Sequence, residues 1–355
     1  MKKLAKSLAA LSLLAAGAAG ASAEHGPSIF DKSYQCRDGA KCEYGAVPCN
    51  FEASAEALFL MRDGGNRVFI GEEATAGGTV LQVLSTKSDD FSIRTGFRVA
   101  ASCRVSDTCD IQGVYFGVQQ FLASDSITRQ DTINNFLSSP YLFIGANGTF
   151  ISYDYESRLY NLEINARYNT RLSDHWNARF IGGFRFIHIE EKFQVQGQEL
   201  VQNAELTTSN SHNNMLMGQI GMEMEHAFGK HFDLGVVTKA GLGVNAAGNH
   251  LTNLLTTFPL PTQTRMDSST DEAALCGMIE VGAFGRLYIT DCLSIRGGYS
   301  VMFLSGLALA PEQLDLTNGD LATGDRVQQG RTGSGLNTGG TMILHGPSAG
   351  IEVRW

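Results

Sequence analysis

Beyond its first two dozen residues the chain has no uninterrupted apolar run of 18 residues or more. That excludes a transmembrane helix, which needs about 20 such residues. Proline is scarce, seven in 355 residues, whereas glycine is plentiful at forty, a balance that suits strands and turns better than helices. Basic residues are outnumbered, 27 Lys and Arg against 36 Asp and Glu, for a net charge of −9. That acidity argues against nucleic acid as a partner. The histidines His25, His175, His188, His212, His226, His231, His250 and His345 are scattered, and none forms a His-Glu-x-x-His or comparable set. Gly241-Leu242-Gly243 and Gly297-Gly298 fall inside strand patterns rather than in strand-to-helix turns, so no nucleotide site is expected. No cofactor or metal is predicted.

What is present begins with an export signal. Lys2, Lys3 and Lys6 precede an apolar run from Leu8 to Ala19, and Ala21-Ser22-Ala23 has the small-x-small form of a cleavage site. Residues 1–23 are therefore read as a secretory signal peptide, too short in its apolar run to anchor the chain. Losing its three lysines leaves the mature chain more acidic still. Seven cysteines remain: Cys36, Cys42, Cys49, Cys103, Cys109, Cys276 and Cys292. Export permits disulfides, and an odd count leaves at least one thiol free or paired outside the chain. Residues 24–54 are read as a separate segment whose three cysteines form a small disulfide cluster. Cys103 and Cys109 flank a turn and are a possible disulfide.

Residues 55–355 read as strands. The clearest is Tyr160 to Asn169, where Tyr160, Leu162, Ile164, Ala166 and Tyr168 alternate with Asn161, Glu163, Asn165, Arg167 and Asn169. After a break at 171–175, Trp176, Ala178, Phe180, Gly182, Phe184 and Phe186 share one face, which makes a hairpin. The same design recurs at 93–99 with a strand from Ile111 to about Phe121, at 220–228 with 232–242, and at 279–289 with 293–303. The facing of the strand after Ile111 is not assignable. Three of the turns share a hydroxyl-Asp step, Ser106-Asp107, Ser173-Asp174 and Thr290-Asp291, and Gly229-Lys230-His231 diverges. Single strands at Ala55–Arg62 and Gly350–Trp355 complete the set.

Ten strands result, with strict alternation of short turns and long polar segments at 63–90, 122–155, 191–212, 246–272 and 305–341. An even strand number, short turns on the terminal side and long connections opposite are the layout of an outer-membrane barrel. The fold expected is a closed antiparallel transmembrane β-barrel of about ten strands; Tyr141 to Phe150 could add a hairpin and make twelve. Strand charges share the face opposite the apolar one: Glu56, Arg62, Arg94, Arg98, Glu163, Arg167, Arg179, Arg185, Glu223, Glu225, Lys239, Glu280, Arg286, Arg296, Glu352 and Arg354. In a barrel these line the lumen, since a charge on the lipid face costs about 2–4 kcal/mol near the midplane. A soluble β-sandwich predicts the same parity, but its strands are usually about five or six residues long. The closing strand Ile351-Glu352-Val353-Arg354-Trp355 resembles the C-terminal signal read by barrel-assembly machinery.

Several stretches resemble the β-barrel porin family of planctomycete-type bacteria: Ala55-Glu56-Ala57-Leu58-Phe59-Leu60, Ser157-Arg158-Leu159-Tyr160-Asn161-Leu162-Glu163, Gly182-Gly183-Phe184-Arg185-Phe186-Ile187-His188-Ile189-Glu190-Glu191, Leu293-Ser294-Ile295-Arg296-Gly297-Gly298-Tyr299 and His345-Gly346-Pro347. The resemblance implies an outer-membrane barrel and carries no catalytic residues. The cysteines before residue 50 depart from it.

Three functions are open. One is a narrow passive pore for small hydrophilic solutes, with a slight anion preference from ten strand cations against six glutamates. The second is a non-conducting barrel whose long external loops bind partners; the segment 305–341 is read as a flexible loop. The third is an outer-membrane hydrolase using His188, Glu190 and Glu191 at the loop end of a strand, against which a plain polar rim is the simpler reading. The expectation is no enzyme, with outer-membrane lipid and the assembly machinery as partners.

Overall fold

A computed structural model describes residues 51–63, 68–75, 80–86, 91–129, 135–139, 142, 148–199, 204–229, 231–256, 263–290, 292–314 and 335–355. The predicted signal peptide and the cysteines at 36, 42 and 49 lie outside these. Thirteen strands follow in chain order: β1 (Phe51–Asp63), β2 (Phe69–Thr75), β3 (Val80–Ser85), β4 (Arg94–Arg104), β5 (Cys109–Thr128), β6 (Asn135–Ser138), β7 (Gly148–Arg171), β8 (Trp176–Glu199), β9 (Ala204–Phe228), β10 (Phe232–Thr256), β11 (Gln263–Tyr288), β12 (Leu293–Leu307) and β13 (Gly340–Arg354). Ten of them close a ring of antiparallel pairs in the order β1-β4-β5-β7-β8-β9-β10-β11-β12-β13 and back to β1. Strands β2, β3 and β6 stand outside the ring and extend the sheet at the top of β7. Of the stretch 141–150, Gly148 to Phe150 belong to β7 and most of the rest lies outside the described residues; the ring among the described residues has ten strands.

The three hydroxyl-Asp turns close in one way. Val105, Leu172 and Ile289 each donate their amide to the carbonyl four residues on, and Ser106, Ser173 and Thr290 donate to the same carbonyl. The hydroxyls accept in return, Ser106 from the Cys109 amide and Thr290 from the Leu293 amide. At the same end Phe51 and Trp355 exchange both amide bonds and stack their rings at 5.8 Å, so the last residue closes the ring.

The register corrects the cysteine expectation. Cys103 lies opposite Ile111, which leaves Cys109 two positions nearer the turn and diagonal to it. A disulfide needs Cα atoms about 4.4–6.8 Å apart, the spacing of directly opposed residues. Cys103 is disulfide-bonded, but Cys109 is a free exposed thiol, as is Cys292, and Cys276 is free and buried.

Strand length is the second difference. Alternation in the sequence marks segments of about ten residues, as at Tyr160 to Asn169 and 232–242, yet β8 to β11 run 24 to 26. The segments 191–212 and 246–272 are mostly strand, joined across 200–203 and 257–262. The reason is chemical. Above the lipid the outward face meets water, so His188, Glu190, Lys192 and Gln194 alternate there with inward Ile187, Ile189, Phe193 and Val195. On β9 both faces become polar, and the period fades from the sequence while the ladder continues. A third difference explains the unassigned facing of β5. Its register against β7 shifts between Val118 and Phe121, so inward positions change from even numbers (Val114, Phe116) to odd (Phe121, Ala123). Such a bulge inverts parity.

The outward faces carry the large exposed apolar residues, among them Leu162, Phe184, Leu216, Ile220, Leu242, Leu275 and Ile279. These form the lipid belt. We predict that Ile279→Arg, in that belt, lowers folding stability in lipid vesicles by about 2–4 kcal/mol. Urea titrations of wild type and variant measure it.

Candidate functional site

Among the described residues, buried charge is concentrated in the lumen. The charged residues of the ring strands alternate with the exposed belt, as in β4, β7, β8 and β13, and lie on the inner side of the wall. Among the described residues, carboxylates not counted from the sequence join them, including Glu52, Asp110, Glu191, Glu205 and Asp233. Acids and cations then nearly balance, and the slight anion preference loses its basis.

At the turn end, Arg286 reaches Glu225 at 3.0 Å and Glu352 at 3.1 Å, and Arg179 reaches Glu223 at 2.6 Å and Glu225 at 3.2 Å. Arg296 lies 3.7 Å from both Glu56 and Glu352 and covers the Phe284 ring at 4.0 Å. Arg354 is 3.6 Å from Glu52, and Arg167 pairs with Asp110. Halfway up, Arg185 bridges Glu163 at 2.7 Å and Glu280 at 2.5 Å, and Lys239 meets Glu163 at 2.9 Å. Arg98 approaches Glu56 at 3.5 Å; Arg94 faces inward nearer the mouth. Arg185 and Arg286 are 0% and 1% exposed at the side chain, and the ion pairs that fill the lumen here run both between neighbouring strands, as in Arg185–Glu163, and across it, as in Arg185–Glu280.

Above the pairs the lining turns apolar. Leu58, Leu60, Ile187, Ile189, Met215, Met217, Leu304 and Leu344 point inward and are buried in one cluster. Into this layer runs the chain that leaves β12. At Gly306 the backbone adopts φ +81° and passes so close to β11 that a Cβ would lie 2.2 Å from the Leu275 carbonyl oxygen. Ala308 to Leu314 then lies inside the mouth, with a single 3-10 turn at Ala310–Gln313, and Ala308, Leu309 and Ala310 are 0–1% exposed.

This inward strap is hydrogen-bonded by side chains of the wall. The Ala308 amide donates to Asn213 Oδ1 at 2.8 Å, and Asn213 Nδ2 donates back to the Ala308 carbonyl at 3.0 Å. Asn245 Nδ2 donates to the Gly306 carbonyl, and the Ala310 amide to Glu191 Oε2, each at 2.8 Å. Glu191 is held by Arg62 Nη2 at 2.5 Å, and Arg62 also donates to Tyr155 Oη at 2.7 Å while lying over the Phe91 and Tyr155 rings. Burial holds the Tyr155 phenol well above its ordinary range, so it stays neutral. Gln313 joins the strap to Asn337 through two bonds, from Nε2 to the carbonyl and from the Asn337 amide to Oε1.

The sequence placed the lumen charges but not the strap, which it read as the start of a loop. The signal was Leu307-Ala308-Leu309-Ala310, an apolar stretch opening a polar segment. The hydrolase grouping is not assembled: His188 and Glu190 face outward, whereas Glu191 faces inward as the strap's anchor. Among the described residues no group of three or more His, Cys, Asp or Glu could hold a metal ion.

We predict that Arg185→Met destabilises the barrel by about 3–5 kcal/mol, because the buried Glu280 loses its close partner and Glu163 keeps only Lys239. Adding Glu280→Gln, which leaves the Glu163–Lys239 pair intact, should recover most of that loss in urea unfolding.

A model of the family described as Legionella pneumophila major outer membrane protein precursor matches residues 46–302. No curated protein matches. Among solved structures, the outer membrane protease OmpT from Escherichia coli is similar over 88% of this chain and 99% of its own, at 10% identity and a TM-score of 0.41. Ail, the attachment invasion locus protein of Yersinia pestis, is similar over 86% of this chain and 98% of its own, at 8% identity and TM-score 0.24. A Pseudomonas aeruginosa FadL homologue covers 86% and 90%, at 7% and 0.24. The matched family and the porins resembled by the sequence have the outer-membrane barrel in common; the match is to the Legionella family.

Proposed function

Because the chain belongs to the family of the Legionella pneumophila major outer membrane protein precursor, we propose that this outer-membrane barrel is a narrow pore for small hydrophilic solutes, shut at its mouth by its own strap. The observation that carries this is the position of Ala308–Leu314. It is a segment of a long external connection, not of the wall, and it occupies the apolar layer that separates the charged lumen from the outside. Ten strands make a barrel close to the size that side chains alone can fill. The ion pairs narrow the lower lumen, and the strap closes the upper. Solutes pass only when the strap leaves, and balanced lumen charge gives little preference between anions and cations. No catalytic step belongs to this role. The barrel-assembly machinery is the proposed partner for the strand ending at Trp355.

A second reading rests on the height of the wall. Strands β8 to β11 continue about ten residues past the lipid belt, a surface that a non-conducting barrel could present to partners.

Single-channel recording in planar bilayers separates the two. Wild type should show rare, small openings. A variant lacking residues 308–314 should open for most of the record. Silence from both, with heat-modifiable gel mobility proving that they fold, sinks the pore and leaves the surface role.

A further inference from the structure

The outer wall of β7 to β11 changes chemistry row by row. Cross-strand register aligns Leu162, Phe186, Leu216, Val244 and Leu275 on the outward face, all apolar. The next outward row, Tyr160, His188, Asn214, Ala246 and Ala273, is a transition. The row above it, Arg158, Glu190, His212, Gly248 and Asp271, has no apolar side chain. Rows are two residues apart, roughly 6.6 Å along a strand. The wall thus passes from acyl-chain contact to full polarity over about 13 Å, the depth at which lipid head groups begin.

At that level lies a recess of about 340 Å³, lined by Arg158, Glu190, Lys192, Asn210, His212 and His250, with Glu156 at its side. Gly248 stands beside His212 next to the recess; a Cβ there would lie 2.2 Å from Asp271 Oδ1 and 2.4 Å from the His212 ring, so a larger residue must displace both side chains. Two cations face the opening. Arg158 is paired at 2.6 Å with Glu156 but remains about half exposed. Lys192 is exposed and has no ion pair or hydrogen bond among the described residues. Around them stand hydroxyl acceptors, such as the Glu190 carboxylate, and amide and imidazole donors. A site with two cations beside carboxylates and amides suits a ligand carrying both phosphate and hydroxyl groups. A plain anion would use only the two cations and leave the carboxylates and amides without partners, and among the described residues no group of three or more His, Cys, Asp or Glu could hold a metal ion.

We propose that this recess binds the phosphorylated sugar head group of the glycolipid in the outer leaflet. Arg158 and Lys192 contact phosphate, while Glu190, Asn210 and His212 contact sugar hydroxyls. The acyl chains of the same molecule lie down the apolar row ending at Leu216 and Val244. This does not depend on whether the lumen conducts.

The test uses the full chain in detergent and native mass spectrometry, with lipid A as the probe. Competitors are phosphatidylglycerol and inorganic phosphate. Wild type should retain lipid A over phosphatidylglycerol by about tenfold or more, and Arg158→Ala/Lys192→Ala should weaken retention by about tenfold, the scale of one charge-assisted contact. Gly248→Val, which crowds the His212 ring out of its place beside the recess, should weaken it similarly, with heat-modifiable mobility confirming that each variant folds. Equal retention of phosphatidylglycerol, complete displacement by inorganic phosphate, or undiminished lipid A binding by both variants overturns the proposal.

Discussion

Arg185 is the side chain on which the lower half of the barrel depends. It is fully buried between two glutamates that come from β7 and β11, while it comes from β8. Lys239 on β10 completes the group. Arg185 and Glu163 are register partners on neighbouring strands, as are Lys239 and Glu280, and the Arg185–Glu280 and Lys239–Glu163 pairs tie these two pairs together across the lumen. A buried guanidinium is tolerated only when its charge is met and its donors are used, so this centre fixes how far apart those walls stand. The same logic repeats at the turn end, where Arg286 joins Glu225 on β9 to Glu352 on β13. Narrowness follows from pairing: a wider ring would separate partners that now lie within 3.2 Å.

Reading the sequence recovered the ring because two signals were independent. Alternation gave the faces, and the hydroxyl-Asp steps gave the turns; at all three such turns the same amide pattern closes the hairpin. The readings that failed have physical causes. Alternation is visible only where the two faces meet different media. On β9 from Thr207 to Ser211 both faces are polar, so a continuous strand reads as loop. On β5 the bulge between Val118 and Phe121 exchanges the faces midway, so no single parity fits. The lumen charges were legible because lipid forbids them on the other face. Their pairing was not, since it depends on which strands oppose each other across the ring.

The strap was the least legible part, and its anchors were misread. Glu191 looked like a member of a rim cluster with His188 and Glu190, because adjacent residues in a sequence look adjacent in space. In a strand, neighbours point to opposite sides. Asn213 and Asn245 gave no signal at all as single inward amides among apolar neighbours.

Their presence has a physical explanation. In the lower lumen, Arg and Glu side chains are long enough to meet from opposite walls. In the upper lumen the lining is Leu, Ile and Met, and a backbone segment fills what they leave. A backbone brought into an apolar layer carries amide and carbonyl groups that must be satisfied. That requirement is met at Ala308 by Asn213, at Gly306 by Asn245 and at Ala310 by Glu191. Glu191 in turn would be an unpaired buried charge without Arg62. Each polar group in the mouth is thus the consequence of the one before it, and the first is the strap. These bonds fix its position more than they hold it, because water would satisfy the same groups if it left. What keeps it inside is the burial of Leu309, Ala310 and Leu314 against the wall. That makes its retention a question of apolar contact, sensitive to the size of those few side chains.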